Sequence, residues 1–339
     1  MTMMKAALLK GYNKSSLHLT LEDYPLPDLQ EGDVLLKVLT SGVNPLDNMI
    51  TRGEVRMIQN YHFPMIAGNE IVGRVEKTGK GVTRFKPGDR VYGRMPLAKP
   101  GSFAEYAAVQ EDALARVPDY LTDEQAAAVP LTALTAAEAL SVLEAKSGQT
   151  LFISGGTGGF GQMAIPLAVS RGIHVITNGS GSNEQRMLDL GVERFIDYRK
   201  EDYSMVVTDV DMVIDTLGQK ETLKSFSLLK KGGRLVSLRA MPNGRFARRM
   251  NMDAFKKFLF SLAGSTFDRA ARKYGASYDF LFVRSNGQAL AEISQILEER
   301  HITPAVDAVF PLDQVNDALD KVASGHSKGK TVLKVSDNL

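Results

Sequence analysis

The chain has 339 residues, enough for two domains at roughly 150 residues each. Lys and Arg number 41 against 39 Asp and Glu, and the resulting net +2 gives no global pull toward nucleic acid or anionic lipid. Cysteine is absent, which excludes disulfides, thiolate zinc sites, iron–sulfur clusters and a cysteine nucleophile.

The first third reads as β-rich. Ala6–Leu9, Leu17–Leu21, Val34–Leu39, Ile71–Val75 and Arg90–Val91 are short strands, separated by turn formers at Gly32-Asp33, Gly79-Lys80-Gly81 and Pro87-Gly88-Asp89. Thr122, followed by Asp123, Glu124 and Gln125, supplies a helix cap and an acidic first turn leading into Ala126–Ala128. A second helix covers Ala133–Leu143 and ends near Ser147-Gly148. The middle alternates: strand Thr150–Ser154, helix Gln162–Arg171, strand His174–Thr177, helix Glu184–Leu190, then strands Phe195–Asp197, Met212–Asp215 and Arg234–Leu238, with helix Glu221–Leu229 between the last two. Strands separated by helices of this length imply βαβ crossovers and a parallel sheet. Gly244 to Ala276 is helical and basic, Phe280–Val283 a strand, Gln288–Arg300 an amphipathic helix and Thr331–Val335 a closing strand. With no uninterrupted apolar run of about 18 residues and no leader pattern, neither a membrane span nor stable membrane insertion is expected, and the expected compartment is the cytoplasm.

The strongest motif is the glycine loop Ser154 to Gly161, which contains G-x-G-x-x-G as Gly156, Gly158 and Gly161. It follows a predicted strand and precedes a predicted helix. The first glycine allows the tight turn, the second a close approach to a pyrophosphate, and the third tight helix–strand packing. The helix N-terminus offers N–H groups and a positive dipole end to the phosphates. Gly156, Thr157, Gly158, Gly159, Phe160 and Gly161 are therefore candidate cofactor contacts. An NAD enzyme places a carboxylate at the end of the second strand to hold the ribose 2′-hydroxyl. Here Asn178-Gly179-Ser180-Gly181-Ser182-Asn183 follows His174–Thr177, and the next carboxylate along the chain is Glu184. Hydroxyl donors at Ser180 and Ser182 suit a 2′-phosphate better than a carboxylate would, so NADPH is expected. The nearest cations are Arg186, which could also be a solvated helix residue, and Arg199-Lys200 after Tyr198.

Five further segments carry a family likeness. They are Ser41-Gly42-Val43-Asn44-Pro45-Leu46-Asp47, the run Phe85 to Gly93 containing Pro87-Gly88-Asp89-Arg90-Val91, Gly101-Ser102-Phe103-Ala104-Glu105-Tyr106, Leu131 to Ala136, and Gly325 to Val335 with Gly329-Lys330. In this order they resemble the medium-chain dehydrogenase/reductase superfamily, in its zinc-independent quinone oxidoreductase and enone reductase branch. The resemblance implies an α/β fold in which a Rossmann doubly wound parallel sheet (122–284) is inserted in a GroES-like β-barrel catalytic domain (1–121 plus 285–339), with the active site in the cleft. It implies a homodimer. It also places Thr132, Thr135, Tyr198, Leu217, Leu238 and Lys330 among the cofactor contacts. Where zinc-dependent relatives carry cysteine and histidine ligands, this chain has Asn44 and Gly68-Asn69-Glu70. The structural zinc lobe is missing, so no zinc is expected. Ser182-Asn183 stands where the nearest subgroup has an Arg-Asn pair for the 2′-phosphate.

Without a Lewis acid to acidify an alcohol, the site suits hydride transfer to an activated acceptor, a quinone or the C=C bond of an α,β-unsaturated ketone or aldehyde. Charge developing on the acceptor oxygen calls for a positioned donor. Asn44 is the candidate catalytic side chain through its amide, unless it only holds the turn before Pro45. Thr132 and Thr135 could instead be helix-capping residues. Tyr61 and Phe63 are candidate substrate contacts, or plain packing aromatics. Asp47 reads as structural. The five histidines, at 18, 62, 174, 301 and 326, form no metal-binding spacing, and no G-x-S-x-G elbow is present. The basic and apolar run Arg245 to Phe260 is either a surface for a membrane or partner chain, or a solvated helix face. Two other functions stay open from sequence: a zinc-free alcohol dehydrogenase or carbonyl reductase, and a non-catalytic NADPH-binding redox sensor. The near-neutral charge argues against a nucleic-acid partner.

Overall fold

The computed structural model describes residues 2–16, 18–325 and 328–337; Leu17, which opens a predicted strand, and His326 lie outside the described residues. The chain divides into two units, Met1–Leu134 with Arg284–Leu339, and Thr135–Val283.

The first unit begins with β1 (Met3–Leu9), β2 (Thr20–Pro25), β3 (Asp33–Val43), α1 (Pro45–Thr51), β4 (Met65–Ile66), β5 (Glu70–Thr78), β6 (Arg90–Arg94), β7 (Tyr106–Gln110), β8 (Leu114–Arg116) and α2 (Asp123–Ala126). β1 is flanked by β2 and β4 in a small antiparallel sheet. In the larger sheet β3 is central, paired antiparallel with β5 and β7. Its alternation explains this position: Val34, Leu36 and Val38 point to one side and pack with Ile71, Val75 and Val91. Helix α3 (Pro130–Val142) crosses the boundary between the units at Leu134.

The second unit runs β9 (Thr150–Ile153), α4 (Gly159–Ser170), β10 (His174–Gly179), α5 (Glu184–Asp189), β11 (Arg194–Asp197), α6 (Tyr203–Val206), β12 (Val210–Asp215), α7 (Gln219–Ser225), β13 (Leu229–Ser237), α8 (Gly244–Arg249), α9 (Ala254–Ala263), α10 (Ser265–Lys273) and β14 (Ser277–Phe280). Every pairing is parallel, in the order β11-β10-β9-β12-β13-β14. Numbered from β9 this is 3-2-1-4-5-6, the doubly wound dinucleotide-binding order. Leu151, Phe152 and Ile153 of the central strand are fully buried, as a strand covered on both faces requires. The chain then returns to the first unit through α11 (Gly287–Arg300), β15 (Val306–Pro311), α12 (Val315–Ala323) and β16 (Lys330–Lys334), with β16 antiparallel to β3.

The differences from the sequence reading have physical causes. Residues 122–134 belong to the first unit rather than the dinucleotide-binding one; Asp123 is ion-paired with Arg90 at 2.8 Å and the Leu131 N–H donates to Glu70 at 2.7 Å. β2 lies at 20–25 instead of 17–21, because an edge strand can carry Glu22 and Asp23 outward and so lacks an apolar signature. β14 precedes the apolar run 281–283, which is buried without strand pairing beyond the Leu281 N–H to Ser237. The helical stretch 244–276 is three helices, the first two opened by Asn243 and Asp253, whose side chains accept from the N–H groups of Phe246 and Lys256. Elements α1, β7, β8, β15 and α12 have no counterpart in the sequence reading. Asp123–Val142 has the length and apolarity of a membrane span, but it is two helices, α2 and α3, and is mostly buried in the protein.

Candidate functional site

The glycine loop leaves β9 and enters α4, as its spacing predicts. Its close approaches explain the residue type: a Cβ on Gly161 would lie 2.0 Å from the Gly156 oxygen, and one on Gly156 would lie 2.1 Å from Thr177 Oγ1. Gly158 is the N-cap of α4, and no side chain caps that helix. The N–H groups of its first turn have no intrahelical acceptor. Space beside Gly159 is open to 4 Å. Uncapped N–H groups, a positive helix end and open space fit a pyrophosphate. The loop is also tied to β10: Gly155 N–H donates to Asn178 Oδ1 at 2.7 Å, and Gly156 N–H to Thr177 Oγ1 at 3.2 Å.

A residue the sequence reading missed organises this edge of the sheet. Asp215, at the end of β12, is fully buried. Its carboxylate accepts from Ser154 Oγ (3.0 Å), Leu217 N–H (3.1 Å), Thr222 Oγ1 (2.5 Å) and Ser237 Oγ (2.7 Å). Its backbone carbonyl accepts from Leu238 N–H at 2.9 Å. One carboxylate therefore fixes the carboxyl ends of three strands, β9, β12 and β13, where ligands bind in such sheets. Leu217 is held by this carboxylate and Leu238 by the backbone carbonyl of the same residue. The signal available in sequence was a charged residue ending the apolar run Met212–Ile214.

Ser180 and Ser182 follow β10, their hydroxyls 3.3 Å apart. Arg186, one turn into α5, donates from Nη2 to the Thr157 carbonyl and to Asn183 Oδ1, both at 2.9 Å. Its buried Nε has no hydrogen-bond partner among the described residues. The expectation that no carboxylate precedes Glu184 holds along the chain but not in space. Asp197 ends β11 opposite Gly179, and its Oδ2 lies 2.4 Å from where a Cβ on Gly181 would sit. Tyr198 beside it is exposed, with the Arg199 guanidinium over its ring at 5.8 Å. Thr135 is buried on α3 within the second unit.

The remaining candidates lie in the first unit, where the structure gathers a buried polar cluster. Lys330, opening β16, donates to Asn44 Oδ1 at 2.6 Å and to Glu70 Oε2, to which it is ion-paired. Asn44 Nδ2 donates to Glu70 Oε2 at 3.0 Å and to the Gly42 carbonyl at 3.2 Å. Both amide hydrogens of Asn44 are thus used, and its role here is to bridge α1, β3 and β5 rather than to offer a donor outward. Asp47 accepts from the Asn44 N–H and from Asn69 Nδ2, each at 2.8 Å. Burial is the main cause that lifts its carboxyl from 3.8 to about 6, against the lowering effect of those two donors and of Lys330. Asn69 Oδ1 has no partner among the described residues. A cavity of about 10 Å³ borders Asp47, Asn69 and Thr51, room for one water and no more. Thr132 Oγ1 donates back to the Ala128 carbonyl at 2.8 Å. Tyr61 is buried, its hydroxyl pushed up to about 12 by burial. Phe63 meets the Tyr12 ring edge-on at 4.7 Å.

Residues 30–119 match the family profile described as alcohol dehydrogenase GroES-like domain, and residues 190–333 the one described as zinc-binding dehydrogenase. The 2-methylene-furan-3-one reductase of Solanum lycopersicum is 30% identical over 343 residues, covering 97% of this chain and 79% of that protein. The chain belongs to the medium-chain dehydrogenase/reductase family. The mitochondrial NAD(P)H oxidoreductase RTN4IP1 of Danio rerio is 28% identical over 360 residues, covering 99% of this chain and 92% of that one. The solved quinone oxidoreductase of Coxiella burnetii superposes with a TM-score of 0.84 at 28% identity, covering 99% of this chain and 100% of that one. As a medium-chain dehydrogenase/reductase, the protein is an NAD(P)H-dependent oxidoreductase with a Rossmann unit and a GroES-like unit.

The family also implies zinc, and the residues here do not fit it. In the places of the metal ligands stand two amides, Asn44 and Asn69, which are poor zinc ligands. The third, Glu70, already holds an ammonium group, and that same ammonium takes the Asn44 oxygen.

Proposed function

We propose that this protein is an NADPH-dependent, zinc-free reductase of quinones or of the C=C bond of α,β-unsaturated ketones and aldehydes. The observation that carries the reading is the Lys330 ammonium on Glu70 and Asn44, where a metal-dependent relative would hold its Lewis acid. Acidifying an alcohol needs such a metal, whereas an activated acceptor takes a hydride without one. The cofactor, when bound, supplies the hydride. The chain's own part is to seat the pyrophosphate on the uncapped start of α4 and to fix the strand ends through Asp215. Arg186 supports a 2′-phosphate by the charge of a guanidinium docked on Thr157 of the glycine loop and on Asn183 beside Ser182. The Asp197 carboxylate on Gly181 opposes it, so the preference for NADPH over NADH is expected to be modest, about tenfold.

Absorbance of the reduced nicotinamide, followed with small quinones, alkenones and alkenals, tests the reading. Turnover unchanged after metal chelation is expected. Oxidation of simple alcohols in preference to alkenone reduction, or tight NADPH binding with no turnover on any acceptor, overturns it.

A further inference from the structure

The chain's near-zero net charge hides a local asymmetry. Residues 244–276 hold eight basic and two acidic side chains, a net +6 within a total of +2, so the rest of the chain carries −4. Inside this stretch α9 turns Phe260 inward, where its ring meets Phe246 edge-on at 5.9 Å. At about 100° per residue, Phe255, Phe258 and Leu262 fall on the face opposite Phe260. They are 68%, 59% and 58% exposed. The helix is amphipathic in the inverse sense for a soluble protein, its apolar face turned to solvent. The cations belong to the same segment. Lys256 and Lys257 are half-exposed, each about 100° around α9 from the nearest ring, and Arg248 on α8 and Arg269, Arg272 and Lys273 on α10 are exposed. Arg245 and Arg249 are taken up by Asp279.

We propose that this face docks on an anionic lipid bilayer. Phe255, Phe258 and Leu262 enter the headgroup–acyl boundary, and the lysines and arginines of the same segment meet lipid phosphates. The charge pattern selects this occupant. A two-fold contact between copies through the same face would set one basic segment against another, still +5 over residues 244–279 once Asp279 is counted, whereas an anionic surface complements it. The docking depends neither on the identity of the acceptor nor on the cofactor preference, because none of these side chains belongs to the glycine loop, the Asp215 network or the Lys330 cluster.

Flotation of the full chain with vesicles tests it, using neutral phosphatidylcholine alone and a roughly three-to-one mixture with phosphatidylglycerol, at about 50 mM and about 500 mM NaCl. Binding to the anionic vesicles at low salt is expected, with release at high salt. Lys256→Gln with Lys257→Gln is expected to weaken partitioning about 30-fold, about fivefold per lysine. Phe255→Ser with Phe258→Ser is expected to abolish it while leaving the melting temperature and NADPH binding unchanged, since both rings are exposed. No binding, or equal binding to neutral and anionic vesicles, overturns the proposal. So does sedimentation velocity in which Phe255→Ser with Phe258→Ser turns a dimer into a monomer, because a second copy then covers the face.

Discussion

Replacing Asp47 by asparagine is expected to stabilise the protein above neutral pH. The carboxyl is fully buried beside Asn69 and the Asn44 N–H, and its shift from 3.8 to about 6 is driven first by burial. At 1.36 kcal/mol per pH unit, the ionised form is about 3 kcal/mol less favourable in the fold than in the unfolded chain. The sign follows from linkage. A carboxyl with a raised value in the fold contributes its full stability below about pH 4, loses it as pH rises to about 6, and contributes nothing further above that. Asparagine copies the protonated form. Its Oδ1 can keep the Asn44 N–H, and its Nδ2 can donate to the unpartnered Asn69 oxygen once that amide turns over. The gain at pH 8 is therefore up to about 3 kcal/mol, or about 6–12 °C at 2–4 °C per kcal/mol for a domain of this size. Differential scanning calorimetry of both proteins from pH 4 to pH 8 reads it, as a difference that is near zero at the acid end and grows through pH 6. An Asp47→Asn protein less stable than wild type at pH 8, or an offset that does not change with pH, would refute the reasoning.

Four further changes have definite outcomes. Lys330→Met strips a buried carboxylate of its cation and is expected to cost about 3–5 kcal/mol, seen as a melting temperature lower by about 10 °C; adding Glu70→Gln should recover at least half of it, and a double variant no better than the single one contradicts the pairing. Gly161→Ala forces a methyl group to within 2.0 Å of the Gly156 oxygen, and isothermal titration should find NADPH binding weakened by more than about tenfold. Asp215→Asn leaves hydroxyl and amide donors competing for one oxygen; a loss of about 2–3 kcal/mol in urea denaturation is expected, with a higher KM for the cofactor. Arg186→Gln should raise the KM for NADPH about 10- to 100-fold and leave that for NADH within about twofold; steady-state kinetics with both cofactors separates the two.

What was legible in the sequence is what lies close along it. The glycine loop needs residues only a few positions apart, between a strand and a helix, and the parallel sheet follows from alternating apolar runs, so both are found where the sequence puts them. The buried cluster is different. Lys330 reaches Asn44 across 286 residues and Glu70 across 260, contacts that exist only because β16 pairs with β3 in the register Thr331–Val43. No local pattern announces them. Asp197 is intermediate: it is visible as the end of a strand, yet its place against Gly181 comes from the pairing of β10 with β11. β2 escapes for a third reason, as an edge strand whose polar side chains leave no period to read, and α1 because it buries Asp47, Asn48 and Thr51 beside Ile50, so no apolar stripe marks it.

The register of β16 on β3 also decides how Lys330 can act. The likeness to the family sets it among the cofactor contacts, and a lysine is a natural phosphate ligand. Its ammonium, however, lies inside the first unit on Glu70 and Asn44, and the cluster's charge depends on it staying there. With Lys330 and Glu70 cancelling, ionised Asp47 leaves the cluster at −1 and protonated Asp47 leaves it neutral, in keeping with a carboxyl held near 6. Moving Lys330 to a phosphate would leave two buried carboxylates without a cation, Asp47 and Glu70, and would lift the Asp47 carboxyl further. Under the proposed function, phosphate binding therefore falls to the uncapped N–H groups of α4 and to the Arg186 guanidinium docked on Thr157 and Asn183. On the proposed zinc-free reading, Lys330 serves the site by neutralising Glu70 and holding Asn44.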